Sequence, residues 1–416
     1  MPPEAALLAR PRSLPPRARL VRTGLRGLAR SYRANSAWGS IMRSLFLSSA
    51  NFAAFLRWTL TVAGCLAAVD AAAQPKPPVE FPPWTFRTKI DGAWLEGMPL
   101  STSGNEVEFL CRDGSLRTFR SSDATETSKV SESFTSYGAG EMRSMLQREF
   151  GGKFDVSGTG HYLVVHPAGQ RDYWAERFEQ LYRSFVHYFS VRGVKVGRPE
   201  FPLVAIVVPT EREMYAYAAK EGTRLGRGVL GYYSTRSNRV ILFDQSGGKA
   251  SKKDWSENSD TIIHEAAHQT AFNTGVHRRW PAPPAWVVEG LGTMFEAPGV
   301  WNSETHRNRE DRVNRGRLDG YKRIATQVNA AVIADMVATD RQYQTNPGGA
   351  YALGWALTYY LVETQPGKYR DYLNRANAHA KREPTPEQRL ADFRAAFGED
   401  LAMFHARFQR FMADEK

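Results

Sequence analysis

Between residues 84 and 123 apolar and polar positions alternate, most clearly in Thr85-Phe-Arg-Thr-Lys-Ile90 and Glu106-Val-Glu-Phe-Leu110. Each run leads into an Asp-Gly pair, Asp91-Gly92 and Asp113-Gly114, which tight hairpin turns favour. The spacing predicts a small β module of SH3-like, barrel-forming size over 84–123, then a Ser/Thr/Glu/Asp-rich linker over 121–136. From about 140 the pattern becomes α/β. Tyr162–Val165 reads as a short strand, and Trp174, Phe178, Leu181, Phe185 and Phe189 recur at helical spacing. Pro202–Val208 is a continuous apolar run of strand length and predicts a buried strand. Thr210–Lys220 predicts a helix, with Thr210 as N-cap and Glu213 three residues on. Gly231–Ser234 and Arg239–Asp244 flank Thr-Arg-Ser-Asn and predict a hairpin. Further on, Trp301–Lys322, which includes His306, has no period and reads as a surface loop or lid. Gly349–Leu361 is an apolar helix stopped at Gln365-Pro-Gly367, and Pro386–Met412 is a last amphipathic helical stretch. The expected class is α+β, with a strand-rich half followed by a helical half.

Between the halves lies Thr261-Ile-Ile-His-Glu-Ala-Ala-His-Gln-Thr270. Ser256-Glu-Asn-Ser-Asp260 offers N-capping residues ahead of it and Asn273-Thr-Gly275 a stop, so the stretch predicts a helix. Residues four apart on a helix project from nearly one face, so His264 and His268 can share one metal ion. Glu265 sits beside the first of them, where a carboxylate can take a proton from activated water. The motif alone is a weak signal, because it is short. It gains from Pro283-Pro-Ala-Trp-Val-Val-Glu289-Gly-Leu-Gly-Thr-Met-Phe-Glu296, which reads as a second helix carrying Glu289, 21 residues after His268. A catalytic zinc takes three protein ligands and keeps one position open. Gly290 and Gly292 each cost about 1 kcal/mol against alanine within a helix, a cost that close approach of two backbones would offset.

His264-Glu265-x-x-His268 with a downstream Trp286-Val-Val-Glu289-Gly290 resembles the gluzincin (thermolysin-like, peptidase-MA-like) zinc metallopeptidases, and most closely their secreted bacterial members of unassigned substrate. The likeness spans roughly 160–415, and to thermolysin itself it is limited to the motif. It implies a zincin-like catalytic domain over 140–416, one Zn2+ on His264, His268 and Glu289, and Glu265 as general base. It also implies an oxyanion donor, with Tyr351, downstream of the third ligand, the first candidate and His277 the second. The 231–244 hairpin would form the sheet edge that pairs with an extended peptide or protein substrate. Thermolysin-like enzymes carry an Asp one turn after the ligand Glu. Here that place is Thr293, which leaves Glu296 or a backbone carbonyl to support a ligand histidine. The other reading is a zincin-fold binding or envelope-associated protein that keeps its metal but hydrolyses little.

Formal charge is +12, a value that invites a nucleic-acid partner. Ten arginines against Glu4 and Asp70 put +8 of it in residues 1–73, leaving +4 for the rest, which argues against nucleic acid. Residues 1–41 read as an extension upstream of a second start at Met42. A basic segment ending at Arg57, an apolar run over 58–69 and Ala71-Ala-Ala73 predict a signal peptide at 42–73 and a periplasmic or secreted chain. The alternative is Val62-Ala-Gly-Cys65 as a lipobox, with Cys65 lipid-anchored. Either way Cys111 is left without an internal partner. Residues 74–83 are a proline-rich tether. Gly247-Gly-Lys249 lacks the leading glycine of a phosphate loop and is discounted. The mature chain is therefore expected to begin near Gln74, which N-terminal sequencing of exported protein will check. An acylated Cys65 at the terminus would establish the lipid anchor instead.

Overall fold

The computed structural model describes residues 81–170, 173–247, 256–379 and 383–415. The expectations for 1–41, 42–73, Cys65, most of the tether and Gly248-Lys249 fall outside these. The fold is mixed α+β, with two sheets and thirteen α-helices among the described residues.

The first sheet holds β1 (Thr85–Ile90), β2 (Ala93–Ser103), β3 (Glu106–Cys111), β4 (Leu116–Arg120) and β5 (Ala124–Ser131), in the order β4-β3-β2-β1-β5. Asp91 and Gly92 both take positive φ (49° and 80°) and close the two-residue turn between β1 and β2. The ladder has β4 and β5 at its ends, so its pairing is a five-stranded sheet and not a hydrogen-bonded closed barrel. β5 corrects the linker expected over 121–136. Its residues, ATETSKVS, are polar on both faces, so no alternation marks them, yet they pair along β1 as an edge strand. Cys111 is a buried free thiol that burial pushes up to about 12, packed with Val107 and Phe109. The other face packs Leu110 and Leu116 on Phe201 and Trp280. Leu116 N–H donates to Arg236 O (2.7 Å) and Arg279 Nη2 to Gly114 O (2.6 Å), which docks the module on the rest of the chain.

The second half opens with α1 (Ala139–Phe150), β6 (Phe154–Gly158), β7 (Tyr162–Pro167), α2 (Tyr173–Ser190), β8 (Leu203–Val208), α3 (Glu211–Lys220), β9 (Gly231–Ser234) and β10 (Arg239–Phe243). The sheet order is β6-β7-β8-β10-β9. β7, β8 and β10 run parallel, and β6 and β9 are antiparallel additions at the edges. Strand side chains alternate between two cores. Tyr162, Val164, Leu203, Ala205, Val207, Val240 and Leu242 face α2 and the ligand helix, while Leu163, Val165, Val204, Ile206, Val208 and Ile241 face α1 and α3. Burial on both faces is why β8 reads as an unbroken apolar run. Thr210 caps α3 by accepting from Glu213 N–H, as its sequence predicts. The 231–244 hairpin forms, with β9 as the edge strand.

Then come α4 (Ser256–Asn273), α5 (Ala285–Phe295), α6 (Pro298–Trp301), α7 (Arg315–Ile324), α8 (Ala330–Ala338), α9 (Arg341–Thr345), α10 (Pro347–Thr364), α11 (Pro366–Ala378), α12 (Pro386–Phe397) and α13 (Leu401–Asp414). Two expectations change here. The final stretch is two helices, broken where Gly398 takes φ 112°. The loop or lid expected over 301–322 contains α7, capped by Asn314 and holding Leu318 and Tyr321 in the core. Arg317 is buried too, and that hides the helical period. Among the described residues no helix is long and apolar enough to cross a membrane.

Candidate metal centre

His264 and His268 lie one turn apart on α4 with rings at 90° and centroids 4.5 Å apart. Their Nε2 atoms are 2.9 Å apart, and Glu289 Oε2 from α5 lies 3.4 Å from one and 3.5 Å from the other. All three residues are at most 2% exposed. A tetrahedral ion about 2.0–2.1 Å from each donor needs donor separations of about 3.3 Å, so this triangle has the size of a metal site. Two imidazole nitrogens and one carboxylate oxygen are donors that suit a divalent metal ion. Burial alone would push the Glu289 carboxyl up, but His268 and His264 hold it well below the usual range. Burial also pushes His264 down, yet its bonds to Glu289 and Glu296 carry it to about 10. His268, without a second carboxylate, is lowered by burial.

The sequence folds this way because each glycine of Glu289-Gly-Leu-Gly292 meets a different neighbour. A Cβ on Gly292 would stand 2.8 Å from His268 Cε1 and 2.9 Å from His264 Cε1. A Cβ on Gly290 would press on Thr358 Oγ1 and stand 2.7 Å from Gly354 O of α10. So α5 is held against α10 on one side and admits the two imidazoles on the other. α4 is fixed independently. Its Ile262, Ile263, Ala266, Ala267 and Ala271 sit in the core, and Gln269 Nε2 donates to Val204 O and Asn238 O, both at 2.9 Å.

Around the triangle, His264 Nδ1 bonds Glu296 Oε1 (2.8 Å). Asn314 Nδ2 in turn donates to Glu296 Oε2 (2.7 Å) and Thr293 O (2.9 Å), and Arg317 Nη2 lies 3.6 Å from Glu296 Oε1. Glu296 thus takes the supporting place left open by the sequence. Thr293 turns its hydroxyl back to Glu289 O (2.7 Å). His268 Nδ1 is buried with no hydrogen-bond partner. Glu265 is fully buried. Its Oε2 accepts from Tyr233 N–H of β9 (2.7 Å), while its Oε1 has no partner. Burial, opposed by His264, raises its carboxyl to about 8.

The expected oxyanion donors fall as follows. Tyr351 is buried on α10, its ring edge-on to Tyr343 (5.3 Å) and 5.2 Å from the Arg317 guanidinium. His277 is buried against Phe272, with neither ring nitrogen bonded, and burial together with His268 depresses it to about 3. A third side chain, Tyr343, is not evident from sequence. Its hydroxyl is buried without a partner over Gly354. Burial and the Glu289 charge raise that hydroxyl well above its ordinary value. Tyr343 sits in the polar five-residue α9, where nothing marks it. The only available hint is Gly354, a gap in an apolar helix.

A family model described as a protein of unknown function (DUF1570) matches residues 258–385. That segment holds all three metal-site residues together with Glu265, Glu296, Tyr343 and Tyr351. A comparison with curated proteins finds no match.

The two glycines should fail differently. Gly292→Ala is expected to keep the fold, since helix propensity favours alanine, and to weaken metal binding by about 100-fold or more. Gly290→Ala should overpack the α5–α10 contact and cost about 1–3 kcal/mol. Thermal melts beside metal stoichiometry check both, and equal metal affinity in Gly292→Ala and wild type would refute the close-approach account.

Proposed function

We propose that the chain is an exported zinc-dependent peptidase of the gluzincin kind, with a zincin-like domain that hydrolyses peptide bonds. The observation that carries this reading is Glu265, a buried carboxylate beside a complete three-donor set, with one oxygen bonded to Tyr233 and the other without a partner. A purely structural site closes its metal with four protein ligands and needs no base.

His264, His268 and Glu289 would hold the ion, with Glu296 fixing the first imidazole. When bound, zinc supplies Lewis acidity, polarising a carbonyl and lowering the pKa of water towards about 7. Glu265 Oε1 takes the proton from the attacking water and delivers it to the leaving amine nitrogen. Tyr233 N–H keeps the carboxylate from rotating away during that transfer. A neutral hydroxyl donor stabilises the developing oxyanion. Tyr343 is the preferred candidate ahead of Tyr351 and His277, because its hydroxyl is buried without a partner within reach of the Glu289 charge. Edge strand β9 is the surface for an extended peptide, and backbone pairing there favours sequence-tolerant binding. Export rests on the 42–73 pattern.

A second reading, a zincin-type binding protein with little hydrolysis, is favoured by the depth of the site, since the three donors are 1–2% exposed. The discriminating experiment is a peptide-library digest with zinc-loaded and chelated chain. Glu265→Gln is expected to retain one zinc and lose about 10²–10⁴ in rate. A library left intact by the zinc-loaded wild type would favour the binding reading, and full activity in Glu265→Gln would remove the base. For the oxyanion donor, Tyr343→Phe should lower kcat by roughly 10²–10³ with KM little changed. Tyr351→Phe should leave kcat near wild type. A large loss in Tyr351→Phe or His277→Ala, with Tyr343→Phe unaffected, would move the role.

A further inference from the structure

A cavity of about 300 Å³ lies between the C-terminal end of α2 and the segment 299–312, and it shares no residue with the metal centre. His187, Tyr188, Arg192, His306, Arg307 and Arg312 line it, and no carboxylate does. Residues 74–416 carry only +4, so three guanidinium groups and two imidazoles in one cavity are a local concentration and not a generally basic surface.

The guanidinium groups are held in place. Arg192 lies over the Tyr188 ring, with Cζ 3.6 Å from its centroid, and donates Nη1 to Tyr188 O (3.0 Å). Arg307 is tied by Nε to Glu304 O (2.9 Å). Arg312 gives Nε and Nη2 to Glu363 (3.0 and 2.8 Å), which balances its charge and fixes its plane. Among the described residues neither Arg192 nor Arg307 has a carboxylate within 4.0 Å. The wall is closely built as well. A Cβ on Gly299 would stand 2.6 Å from Asp311 C and 2.8 Å from Arg312 N.

We propose that this cavity is a binding site for a phosphate-type dianion, free or carried as a small monoester. Two guanidinium forks without matched acids, Arg192 seated on Tyr188 and Arg307 at the exposed rim, suit the paired oxygens of such a group. The volume lies at the lower end for small-ligand sites, which leaves room for a short organic moiety beside the anion.

The test is calorimetric titration of the full chain with sulfate, inorganic phosphate and glycerol phosphate, against chloride at matched ionic strength. Because phosphate can also bind zinc, the titrations are repeated on chelated chain and on His268→Ala. Saturable dianion binding should persist in both. Arg192→Gln and Arg307→Gln should each weaken it by about tenfold or more, the loss of one charge-assisted hydrogen bond. Arg183→Gln removes the same charge from α2, the helix that leads to Arg192, at a side chain 75% exposed outside the cavity, and it should leave affinity unchanged. Equal affinity for sulfate and the monoester would make the ligand a free anion, and tighter monoester binding would make it the ester. A response to chloride as strong as to sulfate would overturn the proposal. So would equal losses in Arg183→Gln and Arg192→Gln, or disappearance of binding when the metal centre is disabled.

Discussion

Here two helices bring three donor atoms to one buried point because a backbone comes nearer to its neighbour's side chains than a Cβ would permit. Gly292 supplies that approach, and most of the second half of the chain serves to hold it. α4 is fastened to the sheet by Gln269 and by its small apolar face, and α5 is fastened to α10 through Gly290 and Gly354. Each ligand helix is therefore anchored on a different element, α4 on the sheet and α5 on α10, and the donor triangle lies between them.

The same burial does opposite things to neighbouring groups. Glu265 and Glu289 are both removed from water, yet one carboxyl is raised and the other lowered. The difference lies in what each touches. Glu289 faces two imidazoles, whereas Glu265 receives a single backbone N–H. An acid that resists ionisation thus lies beside one that stays ionised, set apart by their neighbours and not by burial.

Much of this arrangement was legible in the chain, because the informative features are short-range. The i, i+4 histidines, the glycines flanking Leu291, the Thr210 cap and the alternation around Asp91-Gly92 are all set by residues within a turn or two of each other. What escaped has no local signature. β5 is polar on both faces and exists because β1 offers it a ladder. α7 buries an arginine that answers Glu296, a partner 21 residues earlier in the chain. Tyr343, in a five-residue helix, buries its hydroxyl over Gly354 of a different element. Support for a buried charge and access for a buried hydroxyl are decided by three-dimensional neighbours, so periodicity cannot report them.

The docking of α4 on the sheet separates what can be recognised from what can stand alone. The segment 258–385 contains every donor and every candidate proton carrier, but not the strands that cover one side of its first helix. Cut out of the chain, it would present Ile262, Ile263, Ala266 and Ala267 to water and lose the carbonyls that hold Gln269. Any chain that shares this segment must therefore bring its own apolar slab to lay beneath it. That slab must also present the backbone groups that meet Gln269 and Glu265, which strand geometry can supply whatever side chains it carries.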